Sequence, residues 1–316
     1  MEYRLLDKEE YMNYLQEIVN LFKKSFKREI DEKYLIWRYI QNLKEDLMVC
    51  VAVYNDRIVG SYSVFPCELS VNGKIIKAAM SMTTMTDPEF SGRGIFTKLA
   101  EKLYFELGKM GYKIVFGFPN NNSHRIFNEK LLWKDIYELP TMSLKQEYLK
   151  KNYAKYKINN FSIRKDNDFN LDYSEILNSN SDIRVCKDKE YLRWRFSNNP
   201  VNRYTNYIIE KDNKVKCNCI IKFFEDQMDI VEINSIDDNC FEILLKEVIF
   251  VNKDNISQVN TWIQTKSTVR NIYEKLGFVN TIPITYFGAK VLDNVPDIDI
   301  YNYNNWTIQM GDSDVY

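Results

Sequence analysis

The chain has 316 residues, of which 45% are hydrophobic and 28% charged, and its net charge at pH 7 is −1. This composition is that of a globular protein rather than a disordered one, and the length suits two ordinary domains. The near-zero charge argues against a large basic surface for nucleic acid.

Neither a membrane helix nor a secretory signal is expected. No apolar run approaches the roughly 18 residues of a membrane span, and the first residues are not a basic segment followed by an apolar one. The pair Cys217 and Cys219 lacks the further ligands of a metal site. The cysteines lie mostly in apolar, strand-like runs, which is typical of reduced thiols and predicts a cytoplasmic protein without a metal. They are Cys50, Cys67, Cys186, Cys217, Cys219 and Cys240.

The first part of the chain is predicted to form a short strand, helices and two hairpins. The run "KEEYMNYLQEIVNLFKKSF" has apolar residues at helical spacing, so one face of it should be buried. Two hairpin turns follow, one at Asn55-Asp56 and one at Asn72-Gly73, and the Asn-Gly pair is the strongest short hairpin signal in the chain. The apolar helix positions are Tyr11, Leu15, Ile18 and Phe22.

A long amphipathic helix is predicted after "SGRG". Its apolar face repeats every four residues from Ile95 to Leu107, and Gly108 and Gly111 mark its end. "YKIVFGF" then predicts a buried strand, and another helix follows "PNNNS".

The second half repeats features of the first in the same order. "YLIWRYIQN" from Tyr34 returns as "YLRWRFSNN" from Tyr191, and each copy precedes a strand, a polar turn and a second strand. "SHRIFNEKLLW" from Ser123 returns as "TVRNIYEKLGF" from Thr268. Both copies are followed by a strand that contains a proline, "ELPTMSL" and "TIPITYF". These three echoes in register predict a tandem duplication.

The duplication predicts units over residues 1–147 and 160–316, joined by a polar linker over 148–159. Trp37 and Trp194 occupy equivalent points of the two units. We interpret them as core packing where a helix meets the sheet, with a wall of an acceptor site as the alternative.

The segment "TDPEFSGRGIF" places Gly92 and Gly94 directly before the long helix. Glycines let the backbone approach a bulky group, and a helix start offers free N–H groups and the positive end of a dipole, which together hold phosphates. A dinucleotide fingerprint would need a third glycine and a distant acid, and a Walker loop would need Gly-Lys-Ser/Thr; both are missing. A glycine turn without a ligand is the other interpretation.

With its surroundings, this segment resembles the GNAT acetyltransferase superfamily. The resemblance rests on "TDPEFSGRGIF", the amphipathic helix, "KIVFGFP" and "NNNSHRIFNEKLLW". It implies an α+β (α/β layered) fold whose mixed central sheet is flanked by helices. It also implies a turn around the pyrophosphate of acetyl-CoA or another acyl-CoA, with the pantetheine arm between two splayed strands. The doubled architecture is most similar to the tandem Eis-like branch, and the second unit, which lacks a Gly-x-Gly turn, is expected to be degenerate.

The resemblance also implies cofactor contacts. Backbone groups of Met85 and Thr86 would meet the pantetheine, and Thr97 would add a hydroxyl donor. Ser91 and Phe96 depart from the family pattern, so the Phe96 ring must turn into the core to leave room for the diphosphate. The implied contacts are Met85, Thr86, Ser91, Gly92, Arg93, Gly94, Ile95, Phe96, Thr97 and Asn121.

The sequence also offers candidate catalytic groups. The family commonly uses a tyrosine as the acid; that position here holds Asn128, whereas the second unit has Tyr273. His124 starts a predicted helix, whose N-terminus favours a neutral imidazole able to accept a proton, and a capping role is the alternative. Asp87 and Glu89 are expected to set the turn geometry.

The sequence thus predicts an acetyl-CoA-dependent N-acetyltransferase acting on an amine of a small molecule or amino sugar. The alternatives are an inactive CoA-binding or scaffolding protein of the same fold and a FemABX-like aminoacyl transferase. A small-molecule amine is the expected partner, nucleic acid is not, and oligomer formation stays open.

Overall fold

The computed structural model describes residues 1–44, 46–152, 162–177, 182–295 and 297–316. The chain divides into two compact units. The first comprises Met1–Tyr137, Asp182–Cys186 and Tyr286–Asn305, and the second comprises Glu138–Ser181, Lys187–Thr285 and Trp306–Tyr316. Residues 153–159 of the predicted linker lie outside the described residues.

Strands and helices are numbered in chain order. The strands are β1 (Glu2–Leu5), β2 (Val49–Tyr54), β3 (Arg57–Val71), β4 (Lys74–Thr86), β5 (Ile114–Gly117), β6 (Lys134–Lys145), β7 (Ser162–Lys165), β8 (Ile183–Val185), β9 (Tyr204–Lys211), β10 (Lys214–Phe224), β11 (Gln227–Ser235), β12 (Gln258–Trp262) and β13 (Val279–Val291). The α-helices are α1 (Lys8–Asn13), α2 (Leu15–Phe26), α3 (Glu32–Leu35), α4 (Ile95–Lys109), α5 (His124–Glu129), α6 (Gln146–Asn152), α7 (Ser174–Leu177), α8 (Lys189–Leu192), α9 (Asp238–Asn252) and α10 (Arg270–Lys275). Two π-helices, Ile36–Ile40 and Arg193–Ser197, continue α3 and α8.

In the first unit the sheet runs in the order β1-β2-β3-β4-β5, followed by the end of β13, and β8 pairs with β3. The neighbours are antiparallel except β4 and β5, which are parallel. Helix α4 packs on one face over a core that includes Leu99 and Leu103, and α1 and α2 cover the other face. This mixed sheet with flanking helices confirms the predicted α+β class.

Local sequence explains the turns and helix faces of this unit. Asn55 and Asp56 both have positive φ, as do Asn72 and Gly73, which matches the two-residue turns that suit twisted hairpins. The predicted apolar positions of the first helical run are buried. That run is interrupted at Tyr14, so it forms α1 and α2 rather than one helix.

The second unit has a sheet in the order β6-β12-β11-β10-β9-β7, in which β11 and β12 are parallel. Helix α9 packs over its core through Leu244, Leu245 and Val248. The segment Trp306–Tyr316 lies against β11: the Gln309 side chain accepts from the Ile233 N–H at 2.8 Å and donates to Asn234 at 2.9 Å.

Candidate functional site

A wedge opens between β4 and β5 in the first unit. The two strands pair only where Ala78–Met80 faces Ile114–Phe116, and β4 continues beyond this point without β5. Tyr62 pairs with Thr84 and Val64 with Ser81, so β4 carries an extra residue that bends it just where β5 leaves. A bulge at this point exposes one edge of β4 to a ligand.

At the end of β4 the chain makes the predicted glycine turn. Gly92 and Gly94 have φ of +76° and +71°, a left-handed backbone that favours glycine, and a Cβ at either position would meet no atom within 4 Å. Helix α4 begins directly after Gly94, and no side chain of the described residues caps it. The turn therefore presents free N–H groups and the positive end of a 15-residue helix to open space.

The first side chains of α4 anchor the turn from below. Ile95 is buried, and its Cγ2 would lie 2.6 Å from a Cβ at Gly60, so only glycine at position 60 allows this contact. The Phe96 ring packs edge-on against Tyr62 and Phe127, with centroids 5.6 and 5.2 Å away. The ring thus turns into the core, as the sequence required, and leaves the outer side of the turn open.

The remaining predicted turn residues lie around this opening. Ser91 and Arg93 are exposed, and Thr97 is half-buried. The Arg93 guanidinium lies 4.9 Å from the Phe90 ring centroid and donates to the Glu89 carbonyl at 3.3 Å.

Asp87 fixes the approach to the turn. Its carboxylate is almost fully buried and accepts from Lys24 Nζ at 2.9 Å and from the Glu89 N–H at 3.1 Å. Burial alone would raise the pKa of Asp87, but these two hydrogen bonds and the nearby Arg57 lower it below its ordinary value. Asp87 and Glu89 therefore shape the turn, as expected.

A cavity of about 950 Å³ adjoins Asp87 on the side of α2 and β3. Its lining includes five basic side chains and three acidic ones, so the net charge is positive and attracts anions. The basic residues are Lys23, Lys24, Lys27, Arg28 and Arg57.

At the end of β4, Met85 and Thr86 offer mainly backbone. The Met85 side chain is buried in the core under α1 and α2, on the face away from α4. The Thr86 carbonyl already accepts from the Ser25 hydroxyl at 3.2 Å.

His124 forms a polar cluster with Asp135 and Asn128. His124 Nε2 lies 2.8 and 3.0 Å from the two carboxylate oxygens of Asp135, and Asn128 Nδ2 donates to the same carboxylate at 2.8 Å. The imidazole stacks on Tyr286 with ring centroids 3.8 Å apart. Because a carboxylate only accepts, Nε2 carries a hydrogen, and in the neutral ring Nδ1 is left to accept a proton.

Asn121, predicted to contact the cofactor, and Tyr273, predicted to be catalytic, lie in different surroundings. Asn121 is exposed, and the preceding Asn120 holds the loop by accepting from the N–H groups of Asn122 and Ser123 at 3.0 and 3.1 Å. Tyr273 is fully buried in the second unit between Phe241 and Phe278, and burial raises its pKa. Because an enclosed phenol is not available to a substrate, the structure gives no support for Tyr273 as a catalytic acid.

Sequence reasoning did not find Asp135 or Tyr286. Asp135 lies at the start of β6, and Tyr286 comes from β13, far along the chain. Only the fold brings them to His124, and the single signal in the sequence was the histidine itself.

Comparison with known proteins gives a family match for part of the chain. Residues 2–129 match the family model described as the acetyltransferase (GNAT) domain. This range contains β4, the glycine turn, α4 and β5. No curated protein matches the sequence.

Solved structures share the fold over most of the chain. A conserved protein of unknown function from Enterococcus faecalis, described as a probable N-acyltransferase, has a TM-score of 0.72 at 14% identity, covering 92% of this chain and 72% of its own. GCN5-related N-acetyltransferases from Anabaena variabilis and Kribbella flavida have TM-scores of 0.68 and 0.67, both at 11% identity. Each covers 92% of this chain, and the match spans 73% and 71% of their own lengths.

Within the described ranges, no helix is long and apolar enough to cross a membrane. The same residues contain no group of three or more histidine, cysteine or acidic side chains arranged to hold a metal ion.

Proposed function

We propose that the first unit binds acetyl-CoA, or another acyl-CoA, and transfers the acyl group to an amine of a small molecule or amino sugar. The observation that carries this proposal is the uncapped start of α4 behind two open, left-handed glycines. Free N–H groups and a helix dipole that converge on open space suit a diphosphate. The family match to residues 2–129 supports the same function.

The residues present fit the cofactor. N–H groups from Gly92 to Thr97 would hold the diphosphate, the Thr97 hydroxyl would add a donor, and Arg93 would turn from Phe90 to supply charge. Backbone groups of Met85 and Thr86 would face the pantetheine arm along the open edge of β4. Ser91 and Asn121 are exposed and would lie beside the cofactor.

Acetyl-CoA, when bound, supplies the acetyl group as a thioester. His124 would take the proton of the attacking amine at Nδ1, because Asp135 holds the hydrogen on Nε2. Asn128 would fix the carboxylate, and the Tyr286 ring would hold the imidazole plane. The role of Asn128 is thus positioning, at the point where the family commonly has a tyrosine acid.

The wider architecture belongs to the same proposal. We infer that residues 1–147 and 160–316 are duplicated units joined over 148–159, as in the tandem Eis-like branch, and that the second has lost its cofactor. Local structure supports this: Arg125 pairs with Glu129 at 2.8 Å, and the equivalent Arg270 pairs with Glu274 at 2.7 Å. The free thiols suit a cytoplasmic protein.

The test is calorimetric titration of the protein with CoA, followed by release of free CoA from acetyl-CoA over a panel of amines. Gly94→Trp should abolish binding because the side chain would fill the diphosphate position. Gly111→Trp is the matched control: Gly111 also has positive φ, +84°, and an open Cβ position, but lies beyond the other end of α4.

The outcomes separate the competing functions. CoA binding lost only in Gly94→Trp, together with amine-dependent CoA release, supports the transferase. Binding without release from any amine favours the scaffolding alternative, which the asparagine at position 128 would explain. Absence of CoA binding to the unmodified protein overturns the proposal.

A further inference from the structure

Two equivalent arginines lie in the two π-helices. Arg38 and Arg195 occupy the same position of "YLIWRYIQN" and "YLRWRFSNN", and they are only 6% and 5% exposed. In both units an aspartate caps the preceding one-turn helix, Asp31 through the Lys33 N–H and Asp188 through the Tyr191 N–H. π-helical turns are rare in proteins, and those that occur are often found at functional sites. The hydrogen-bond partners of the two arginines differ between the units.

Arg195 is held by oxygen atoms of its own unit. It donates through Nη1 to the Tyr204 hydroxyl at 3.0 Å and through Nη2 to backbone oxygens of Ser313, at 3.2 Å, and Tyr316. Burial raises the pKa of Glu232 on β11; Lys187, its ion-pair partner, opposes this rise most strongly, and Arg195 opposes it more weakly. The second unit therefore supplies oxygen acceptors to both Nη groups of Arg195 and carries an acidic residue on β11.

Arg38 has poorer partners in the first unit. It donates through Nη1 to the Tyr34 hydroxyl, and its Nη2 meets only the Met82 sulfur, at 3.9 Å, among the contacts formed by the described residues. The strand equivalent to β11 is β4, which carries no aspartate or glutamate from Lys74 to Thr86. A thioether is a weak acceptor, and a buried guanidinium without an anion is costly.

The position of Met82 indicates where an anion would bind. Met82 lies in the bulged part of β4, beyond the last residues paired with β5. Nη2 of Arg38 is therefore directed at the strand segment that borders the wedge. A ligand group beside this segment would replace the oxygens that Ser313 and Tyr316 give to Arg195.

We propose that Arg38 binds a carboxylate of the acceptor, so that the acceptor is an amine that also carries a carboxylate, as amino acids do. This rests on the transferase function proposed for the first unit. The planar guanidinium matches a carboxylate in two parallel hydrogen bonds, and such a pair is strong where water is excluded.

The experiment compares amino acids with their carboxamides as acceptors, measuring kcat/KM from the release of free CoA. The unmodified protein should prefer the carboxylate member of its best pair by about 10- to 100-fold, the range of a charge-assisted hydrogen bond. Arg38→Met should bring this ratio close to one, with kcat/KM for the carboxamide changed by no more than about 3-fold. CoA binding by the variant should equal that of the unmodified protein.

Arg195→Met is the matched control. It should keep the preference for carboxylates but unfold at a lower temperature, because it leaves the backbone oxygens of Ser313 and Tyr316 without their donor. Arg38→Met should lose less thermal stability, since the arginine has no anionic partner in the folded unit. A larger loss in Arg38→Met than in Arg195→Met would mark Arg38 as structural and overturn the proposal.

Equilibrium titration with N-acetyl amino acids keeps the test independent of turnover. If no amine releases CoA, the transferase function fails, and binding of these probes lost in Arg38→Met still supports a carboxylate site. A protein that binds none of them, prefers carboxamides or prefers phosphorylated amines contradicts the proposal.

Discussion

Helices α4 and α9 both have 15 residues, but they begin in opposite ways. Each follows a strand with a parallel partner, β4 beside β5 and β11 beside β12. Helix α4 starts behind Gly94 without a side-chain cap, whereas the Asp237 carboxylate caps α9 by accepting from the Cys240 N–H at 2.7 Å. One helix start can receive an anion, and the other already has one.

The ends of the parallel strands also differ between the two units, because a further segment of the second unit lies against those of β11 and β12. In the second unit Trp306–Tyr316 touches residues at the ends of both parallel strands, through Gln309 with Ile233 and through Gln264 with the Trp306 carbonyl. Lys187 joins Glu232 of this sheet to Asp312 of the same segment. The polar groups that the chain itself supplies thus decide whether the end of a parallel strand pair is left open or is covered.

Gly94→Asp would place an aspartate directly before α4, as Asp237 lies directly before α9. The new carboxylate would cap α4 and place a negative charge where the diphosphate should lie, so we expect the affinity for CoA to fall about 1,000-fold. Aspartate tolerates the left-handed backbone better than most residues, which limits the loss of stability. Isothermal titration with CoA measures the effect.

Gly111→Asp is its control, because it introduces the same side chain at a similar φ beyond the C-terminal end of α4. Its CoA affinity should stay within about 3-fold of the unmodified protein. Equal losses in the two variants would show that charge at the helix start does not decide binding.

His124→Val makes position 124 resemble its equivalent in the second unit, Val269. Loss of a general base typically costs 100-fold or more, so we expect kcat to fall about 100-fold with CoA affinity unchanged. The initial rate of CoA release at saturating acetyl-CoA and amine measures kcat.

Arg125→Gln on the same helix is the matched control, since the exposed pair of Arg125 with Glu129 has a counterpart in the second unit. It should retain at least half of the activity. A His124→Val protein whose kcat stays close to that of the unmodified protein would show that the His124 cluster is only a structural contact.

Much of the first unit could be predicted from the sequence because its signals are local. Hairpin turns, the apolar faces of α2 and α4, and the glycine turn each depend on neighbouring residues. Long-range contacts could not be predicted: Asp135 and Tyr286 reach His124 through strands that the sequence does not place. The π-helical backbone at Arg38 was also invisible, because its pattern reads as an ordinary helix and burial depends on β4.

Asp87 lies before the glycine turn, whereas Asp237 caps its helix directly. Asp87→Asn tests whether the Asp87 carboxylate stabilises the uncapped turn before α4. The folded-state pKa of Asp87 is lowered, so its contribution to stability is fully present above the unfolded value of about 4 and is lost as pH falls through the folded value. We expect the variant to lose about 1–2 kcal/mol of unfolding free energy at pH 7. The difference from the unmodified protein should shrink below about pH 4.

Urea unfolding at several pH values measures this difference, with the exposed Glu89→Gln as the control. A loss for Asp87→Asn that persists unchanged at low pH would mean that side-chain shape, not charge, carries the stabilisation.

The smallest effect on stability is expected at the turn after helix α5, which contains Leu132. Leu132 has φ of +59° and is 70% exposed, whereas the equivalent residue of the second unit is Gly277, with φ of +97°. A leucine in the left-handed region is strained, and its exposed side chain gains little from packing, so Leu132→Gly should stabilise the protein by about 0.5–1 kcal/mol. Gly277→Ala should destabilise it, because its Cβ would lie 3.3 Å from Leu144 Cδ1 as well as in a strained backbone. Opposite shifts of the urea midpoint would show that the two units share this turn, and a loss of stability in Leu132→Gly would show that they do not.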